Sequence, residues 1–223
     1  MTGADGVHGL HGGDGVEGVV IVHADAALVV LDKPAGLLAV PGLGPERQDC
    51  LWRRALALFP DLLIVHRLDM ATSGLIAFGR GKAAQRALSM AFEARRVAKH
   101  YEAIVHGLVE ADSGSIDLPL AADRDQPPLQ VVNLERGKTS LTHWRVVERD
   151  RQLARTRLAL EPVTGRSHQL RVHLQAFGHP IVGDRLYAGE ADPGPRLLLH
   201  AAALALSHPA AGTAVSFESP APF

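Results

Sequence analysis

The 223-residue chain has little of what staples or metallates a small protein: one cysteine, three methionines, two tryptophans, and aromatic side chains at only 4%. The lone Cys50 excludes a disulfide framework and any cysteine-rich zinc module, and it fits a reducing compartment. Long hydrophobic runs are missing too. The longest near-continuous apolar stretch, residues 197–206, includes His200 and is about half of the ~20 residues needed to span a bilayer. The start of the chain lacks the charged and then apolar pattern of a secretory leader. There is no Walker-type glycine loop and no Gly-x-Ser-x-Gly elbow, and the early glycines do not sit between a strand and a helix, so nucleotide and serine-hydrolase signatures both fail. These absences predict a soluble, cytoplasmic protein that works without metal or cofactor.

What is present supports a folded domain. Apolar residues make up 47% and charged residues 21%, which excludes a wholly disordered chain and a coiled coil. The length suits one compact domain with a sizeable core. Residues 1–18 contain seven glycines and almost nothing to bury, and read as a flexible tail. Residues 19–223 form the domain.

The formal net charge of −1 speaks against a nucleic-acid partner only until its distribution is considered. Residues 1–25 carry four acids and no Lys or Arg, so the remainder holds 23 basic residues against 20 acids, a balance of +3. Residues 80–101 concentrate Arg80, Lys82, Arg86, Arg95, Arg96 and Lys99 against Glu93 alone. A local basic patch matters more than the total when phosphate is the partner. Arginine outnumbers lysine 19 to 4. Its planar fork suits phosphate, although a GC-rich genome explains the same bias.

Periodicity places strands at residues 19–23, 27–31, 75–78 and 99–106, with Tyr101, Ala103 and Val105 on one side of the last. Thr142, Trp144 and Val146 share one face of a later strand. Residues 154–161 alternate most cleanly, with Thr156, Leu158 and Leu160 inward. Helices are expected at three places: from an Asp49 N-cap to Leu58, over 82–96, and over 167–177 with Gly178 as its stop. Residues 112–114 and 123–128 read as turns or loops. Residues 197–206, apolar on both faces, should lie centrally. Consecutive strands with so few helices favour α+β with a mixed or antiparallel sheet.

Two polar clusters stand out. His66-Arg67-Leu68-Asp69-Met70-Ala71-Thr72-Ser73-Gly74 falls in a loop between apolar segments, a common setting for functional residues. Asp69 is either a carboxylate oriented by the amides and hydroxyls that follow, or part of an ordinary turn with a surface ion pair to Arg67. The second cluster, residues 164–173, carries Arg166, His168, Arg171 and His173 with no acid, and predicts an electropositive helix start. Zinc is a poor reading of His168 and His173: five residues is ~500° of helix, leaving the side chains ~140° apart, and they read better as hydrogen-bonded histidines. Tyr101 is either a half-buried core residue or an aromatic platform for a planar ligand. His200 reads as buried and hydrogen-bonded.

In order along the chain, Lys33-Pro34-Ala35-Gly36, His66-Arg67-Leu68-Asp69 with Thr72-Ser73-Gly74, Lys99-x-Tyr101, Gly165 through His173, Gly178 through Asp184, and Leu199-His200-Ala201 resemble the RluA family of RNA pseudouridine synthases. The resemblance runs from about residue 20 to the end. It implies a roughly V-shaped α+β pseudouridine synthase-like fold, with a bent, mixed, mainly antiparallel sheet, flanking helices and a central cleft. It implies isomerisation of uridine to pseudouridine, with Asp69 as the catalytic carboxylate and Arg171 as its partner. Tyr101 would stack on the target base, Leu170 would contact the uracil, and Arg67 would enter the RNA stack when the base leaves it. Flipping is physically required, because C1′ and C5 are out of reach inside a stacked helix. The implied partner is RNA, as tRNA anticodon stem-loops or large-subunit rRNA, bound by a monomer. A non-catalytic RNA-binding factor using the same cleft is the alternative, and a metal-dependent hydrolase lacks the ligand spacing.

Overall fold

The computed structural model describes residues 16–189 and 194–223. The tail expected over residues 1–18 therefore lies outside the described residues except for 16–18. Strands Val20–Ala24 (β1) and Leu28–Lys33 (β2) form a hairpin turned by Asp25, whose Oδ1 accepts the Ala27 and Leu28 amides at 2.7 and 2.8 Å. A short side chain that satisfies the turn amides is what an Asx-type reversal needs. A 3-10 turn at Pro45–Arg47, helix α1 (Leu51–Ala55) and strand β3 (Leu62–Ile64) follow, then β4 (Ser73–Arg80), α2 (Gly81–Glu93) and β5 (Ala98–His106). Next come β6 (Ser113–Asp117), β7 (Leu120–Ala122), β8 (Gln130–Val132), β9 (Leu141–Asp150) and β10 (Arg155–Pro162). The chain closes with α3 (Gln169–Ala176), β11 (Leu199–Ser207) and β12 (Ala214–Glu218).

Among the described residues, ten strands make one sheet in the order β1-β2-β4-β11-β5-β10-β9-β6, with β12 added to β11 and β3 to β4; β7 and β8 pair separately. Among the described residues only β4 with β11 is parallel, through Ser73 with His200 and Gly74 with Ala201. The fold is the expected α+β class with a mixed, mainly antiparallel sheet. β11 lies mid-sheet, as its two-sided apolarity requires. β2 sits between β1 and β4, and its Leu28-Val29-Val30-Leu31 run is fully buried. Each such side chain contributes roughly 1.5–3 kcal/mol of hydrophobic stabilisation.

Gly74 is the one glycine this junction demands. Its φ is +108°, and a Cβ would stand 2.4 Å from the Ala201 carbonyl oxygen. Only glycine lets β4 approach β11 immediately after the polar loop.

Helix α2 buries Ala84, Leu88 and Ala91, which recur at the helical period. It ends at Glu93, short of the expected Arg96, because Arg95 turns left-handed (φ +56°) and the Arg96 amide reaches back to the Ala91 carbonyl at 2.9 Å. That C-terminal reversal leaves both guanidinium-bearing residues exposed. Two other expectations need correction. Cys50, not Asp49, precedes α1, which stops at Ala55; the Asp49 carboxylate is drawn instead into a two-point contact with Arg54 at 2.7 Å. Residues 113–117 form a strand, paired to β9. Among the described residues no helix is long and apolar enough to cross a membrane.

Candidate active site

The loop joining β3 to β4 carries Asp69. Its shape is set from below by Lys33, which the sequence marks only as the first residue of the Lys33-Pro34-Ala35-Gly36 motif. Lys33 is fully buried, and its Nζ donates to the carbonyls of Pro34, Leu37 and Met70 at 2.8, 2.8 and 3.0 Å. All three ammonium protons are thereby used. The Gly36 amide also donates to the Met70 carbonyl, at 2.8 Å. Burial lowers the Lys33 pKa to about 8, opposed by the charges of Asp69 and Asp32. The residue after Asp69 is thus fixed from two directions.

Asp69 is oriented differently from either reading of its own loop, and its charged neighbour is the one that the family resemblance implies. The Ser73 hydroxyl is turned away, 2.9 Å from Nδ1 of His200. The charged partner of Asp69 is Arg171, with Nη1 3.5 Å from Oδ2, not Arg67. Arg171 is 5% exposed and is held by Asp184, fully buried, through Nε to Oδ2 at 2.8 Å and Nη2 to Oδ1 at 2.7 Å. Asp184 is itself oriented by the Leu186 amide at 3.0 Å. The guanidinium lies over the Tyr187 ring, 5.0 Å from its centroid. One face of Arg171 is therefore spent on structure, and a single N–H edge is left for Asp69. The sequence marks Asp184 only as the end of the Gly178–Asp184 motif, without a role, and does not mark Tyr187; the available signal is that Asp184 is the first acid after the acid-free 162–183 segment.

Helix α3 starts at Gln169 rather than Ser167, because His168 is left-handed (φ 53°). Gln169 closes the preceding turn: its Oε1 accepts the Thr164 hydroxyl at 2.7 Å and the Arg166 amide at 3.0 Å, and its Nε2 donates to the Leu141 carbonyl and Thr142 hydroxyl. Every polar atom of this buried amide is satisfied, and the first turn of α3 presents Leu170 and Arg171 to one cleft.

That cleft, of ≈ 560 Å³, brings together all five candidate residues: Arg67, Asp69, Tyr101, Leu170 and Arg171. The volume lies in the range of small-molecule sites. Tyr101, on β5, packs against two core clusters, as its core reading expects, and also lines the cleft. Burial, and then the Asp69 charge, raise its pKa. It is a neutral phenol at pH 7, able to stack but not to act as an anionic base. Arg67 is exposed at the rim. Arg95, Lys99 and Arg166 join it and Arg171 against only two acids, Asp69 and Glu93. The basic wall suits a polyanion.

The histidines divide. His173 is buried, with Nδ1 2.9 Å from the Thr142 hydroxyl and Nε2 3.0 Å from the Leu118 carbonyl. His200 is likewise buried among hydrogen bonds, to Ser73 and Ser219. His168 alone of the three lines the cleft. Among the described residues no three His, Cys, Asp or Glu side chains converge as a metal site would require.

A family model described as RNA pseudouridylate synthase matches residues 27–176, a span that includes every one of the five cleft residues. The chain belongs to that family. It is an enzyme that isomerises uridine in RNA. The synthase is 50% identical over 194 residues to the dual-specificity RNA pseudouridine synthase RluA of Vibrio vulnificus (strain CMCP6), covering 85% of this chain and 78% of that one. It is 46% identical over 207 residues to the protein of the same name from Escherichia coli (strain K12), covering 92% and 94%. Among solved structures, human RNA pseudouridylate synthase domain containing 1 superposes with a TM-score of 0.77 at 29% identity, covering 96% of the synthase and 87% of that chain.

Proposed function

We propose that the synthase converts uridine to pseudouridine within structured RNA loops, in the tRNA anticodon stem-loop and in large-subunit rRNA, with Asp69 as the catalytic carboxylate of a monomeric, cytoplasmic domain spanning residues 19–223. The observation that carries the reading is the position of Asp69. It sits 18% exposed on the wall of a basic cleft, 3.5 Å from a guanidinium that is itself immobilised. The "dual-specificity" in the relatives' names supports two RNA classes rather than one.

The chemistry asks for few groups. The C1′–N1 bond breaks, the uracil turns, C5 bonds to C1′, and the C5 proton is lost while N1 regains one. Atoms and charge balance without an oxidant, reductant or added group. Whether the carboxylate attacks C1′, adds to the base or removes a sugar proton, it acts as an ionised group in a partly dry site. Tyr101 offers a flat face for the extruded base. Leu170, 7% exposed, adds an apolar contact at the cleft wall. Arg67, exposed at the rim, fills the gap left in the RNA stack. Loops and splayed ends are where such a base is least costly to extrude.

The test is direct. Purified synthase is incubated with an anticodon stem-loop RNA, an rRNA hairpin and a fully paired duplex of matched composition, and pseudouridine is quantified in each. Conversion of both loops but not the duplex is expected. Equal conversion of the duplex contradicts loop recognition, and conversion of one loop alone contradicts dual specificity.

A further inference from the structure

Arg171 faces only one oxygen of the Asp69 carboxylate. The other, Oδ1, lies 3.9 Å from Nε2 of His168. Three observations single out this imidazole. Its backbone is left-handed (φ 53°, ψ 17°) at the residue before α3, a conformation that side-chain-bearing residues rarely adopt and that collects at functional sites. Its Nδ1 is 2.6 Å from the Tyr187 hydroxyl, whose oxygen already accepts the Gln130 amide at 2.9 Å. The phenol therefore has its own proton free to donate to Nδ1, which leaves the N–H of a neutral ring on Nε2, the nitrogen that faces Asp69. Finally, burial lowers the His168 pKa, with the Asp69 charge opposing only in part, so the ring is neutral near pH 7.

We propose that His168 is a positioning residue for the isomerisation: held by Tyr187 with its proton on Nε2, it closes on Asp69 Oδ1 when RNA fills the cleft, so that Arg171 and His168 grip the two carboxylate oxygens from different sides. Hydrogen bonds of this kind are often long in the free enzyme and tighten in the complex. The 3.9 Å separation needs about 1 Å of closure to reach charge-assisted hydrogen-bond distance. Gripping both oxygens fixes the plane of the carboxylate, which a single contact leaves free to rotate about its Cβ–Cγ bond. The inference rests on Asp69 being the reacting carboxylate, and Tyr187 acts through His168.

The experiment measures single-turnover rate constants at saturating anticodon stem-loop RNA, together with RNA affinity and thermal melting, for wild type, His168→Leu, His168→Gln, Tyr187→Phe and Asp69→Asn. Loss of one charge-assisted hydrogen bond predicts that His168→Leu is slower by about tenfold to a hundredfold, with affinity changed by less than about twofold. His168→Gln, whose amide N–H reaches the Nε2 position, recovers most of that loss. Tyr187→Phe, which frees the ring while keeping it, falls between. His168→Leu turning over at the wild-type rate overturns the inference. So does His168→Gln being as slow as His168→Leu when the two melt alike, because a purely structural role has no use for the donor. Turnover by Asp69→Asn would instead overturn the assignment of Asp69 itself.

Discussion

Replacing Asp184 by asparagine removes half of the ion pair that fixes Arg171 while leaving the side-chain shape and one carbonyl acceptor in place. Both partners are desolvated, at 5% and 0% exposure, so solvent screening does little to soften the change. Breaking one member of a buried, hydrogen-bonded pair costs about 3–5 kcal/mol, most of it from the uncompensated charge left behind. Here Arg171 keeps a second counter-charge in Asp69, 3.5 Å from its Nη1, so the loss should fall at the lower end, about 3 kcal/mol. For a chain of this length that corresponds to a fall in Tm of roughly 6–12 °C. Urea unfolding provides the assay, with Arg171→Met and the double variant completing a cycle. Removing both charges should recover part of the loss, with a coupling energy of about 1–3 kcal/mol. A cost for Asp184→Asn below about 1 kcal/mol, or a double variant no better than the sum of the singles, would refute the claim that this pair anchors the site.

Acid should destabilise the fold before its carboxylates titrate in bulk. Burial holds the His66 pKa at about 3, with the Lys99 charge adding to the effect, and burial lowers those of His168, His173 and His200. The unfolded chain binds protons near pH 6.5 and the folded one does not, so stability is intact above pH 6.5 and declines as pH falls toward the folded values. Unfolding free energies at pH 7.5 and 5 should differ accordingly, and a flat profile contradicts the burial argument. On the exposed turn after α2, where Arg95 lines the cleft, neutralising Arg95 and Arg96 together should weaken RNA binding and reduce its log–log salt slope by about 0.7 for each phosphate no longer neutralised. An unchanged slope means that this face does not meet phosphate.

What the sequence reveals of this molecule depends on how local the cause is. The alternation of residues 154–161 is a property of one strand, and Thr156, Leu158 and Leu160 are buried as it predicts. Asp69, Tyr101 and Arg171 are picked out by the family resemblance of the motifs that hold them, and the structure brings all three to one cleft. The supports of the site are not local. Lys33 acts on a carbonyl 37 residues away, and Asp184 grips a guanidinium 13 residues back, across α3. Both residues lie in motifs of the family resemblance, but nothing in either neighbourhood marks the distant group that it holds. Helix ends failed for a related reason: Asp49 suits an N-cap, but Arg54 offers it a charged fork, and tertiary competition outweighs capping propensity. The left-handed turns at Arg95 and His168 are also invisible to composition, since neither is glycine.

The central claim is that the Asp69 carboxylate carries the reaction. When C5 bonds to C1′, a tritium label at uridine C5 is released to water, so tritium release from a labelled anticodon stem-loop RNA reads turnover without separation of products. Asp69→Asn preserves shape and removes the charge. The account predicts a fall in single-turnover rate of at least about a thousandfold, with RNA affinity within about threefold of wild type. Release within about tenfold of the wild-type rate, by a variant that binds RNA normally, would contradict it.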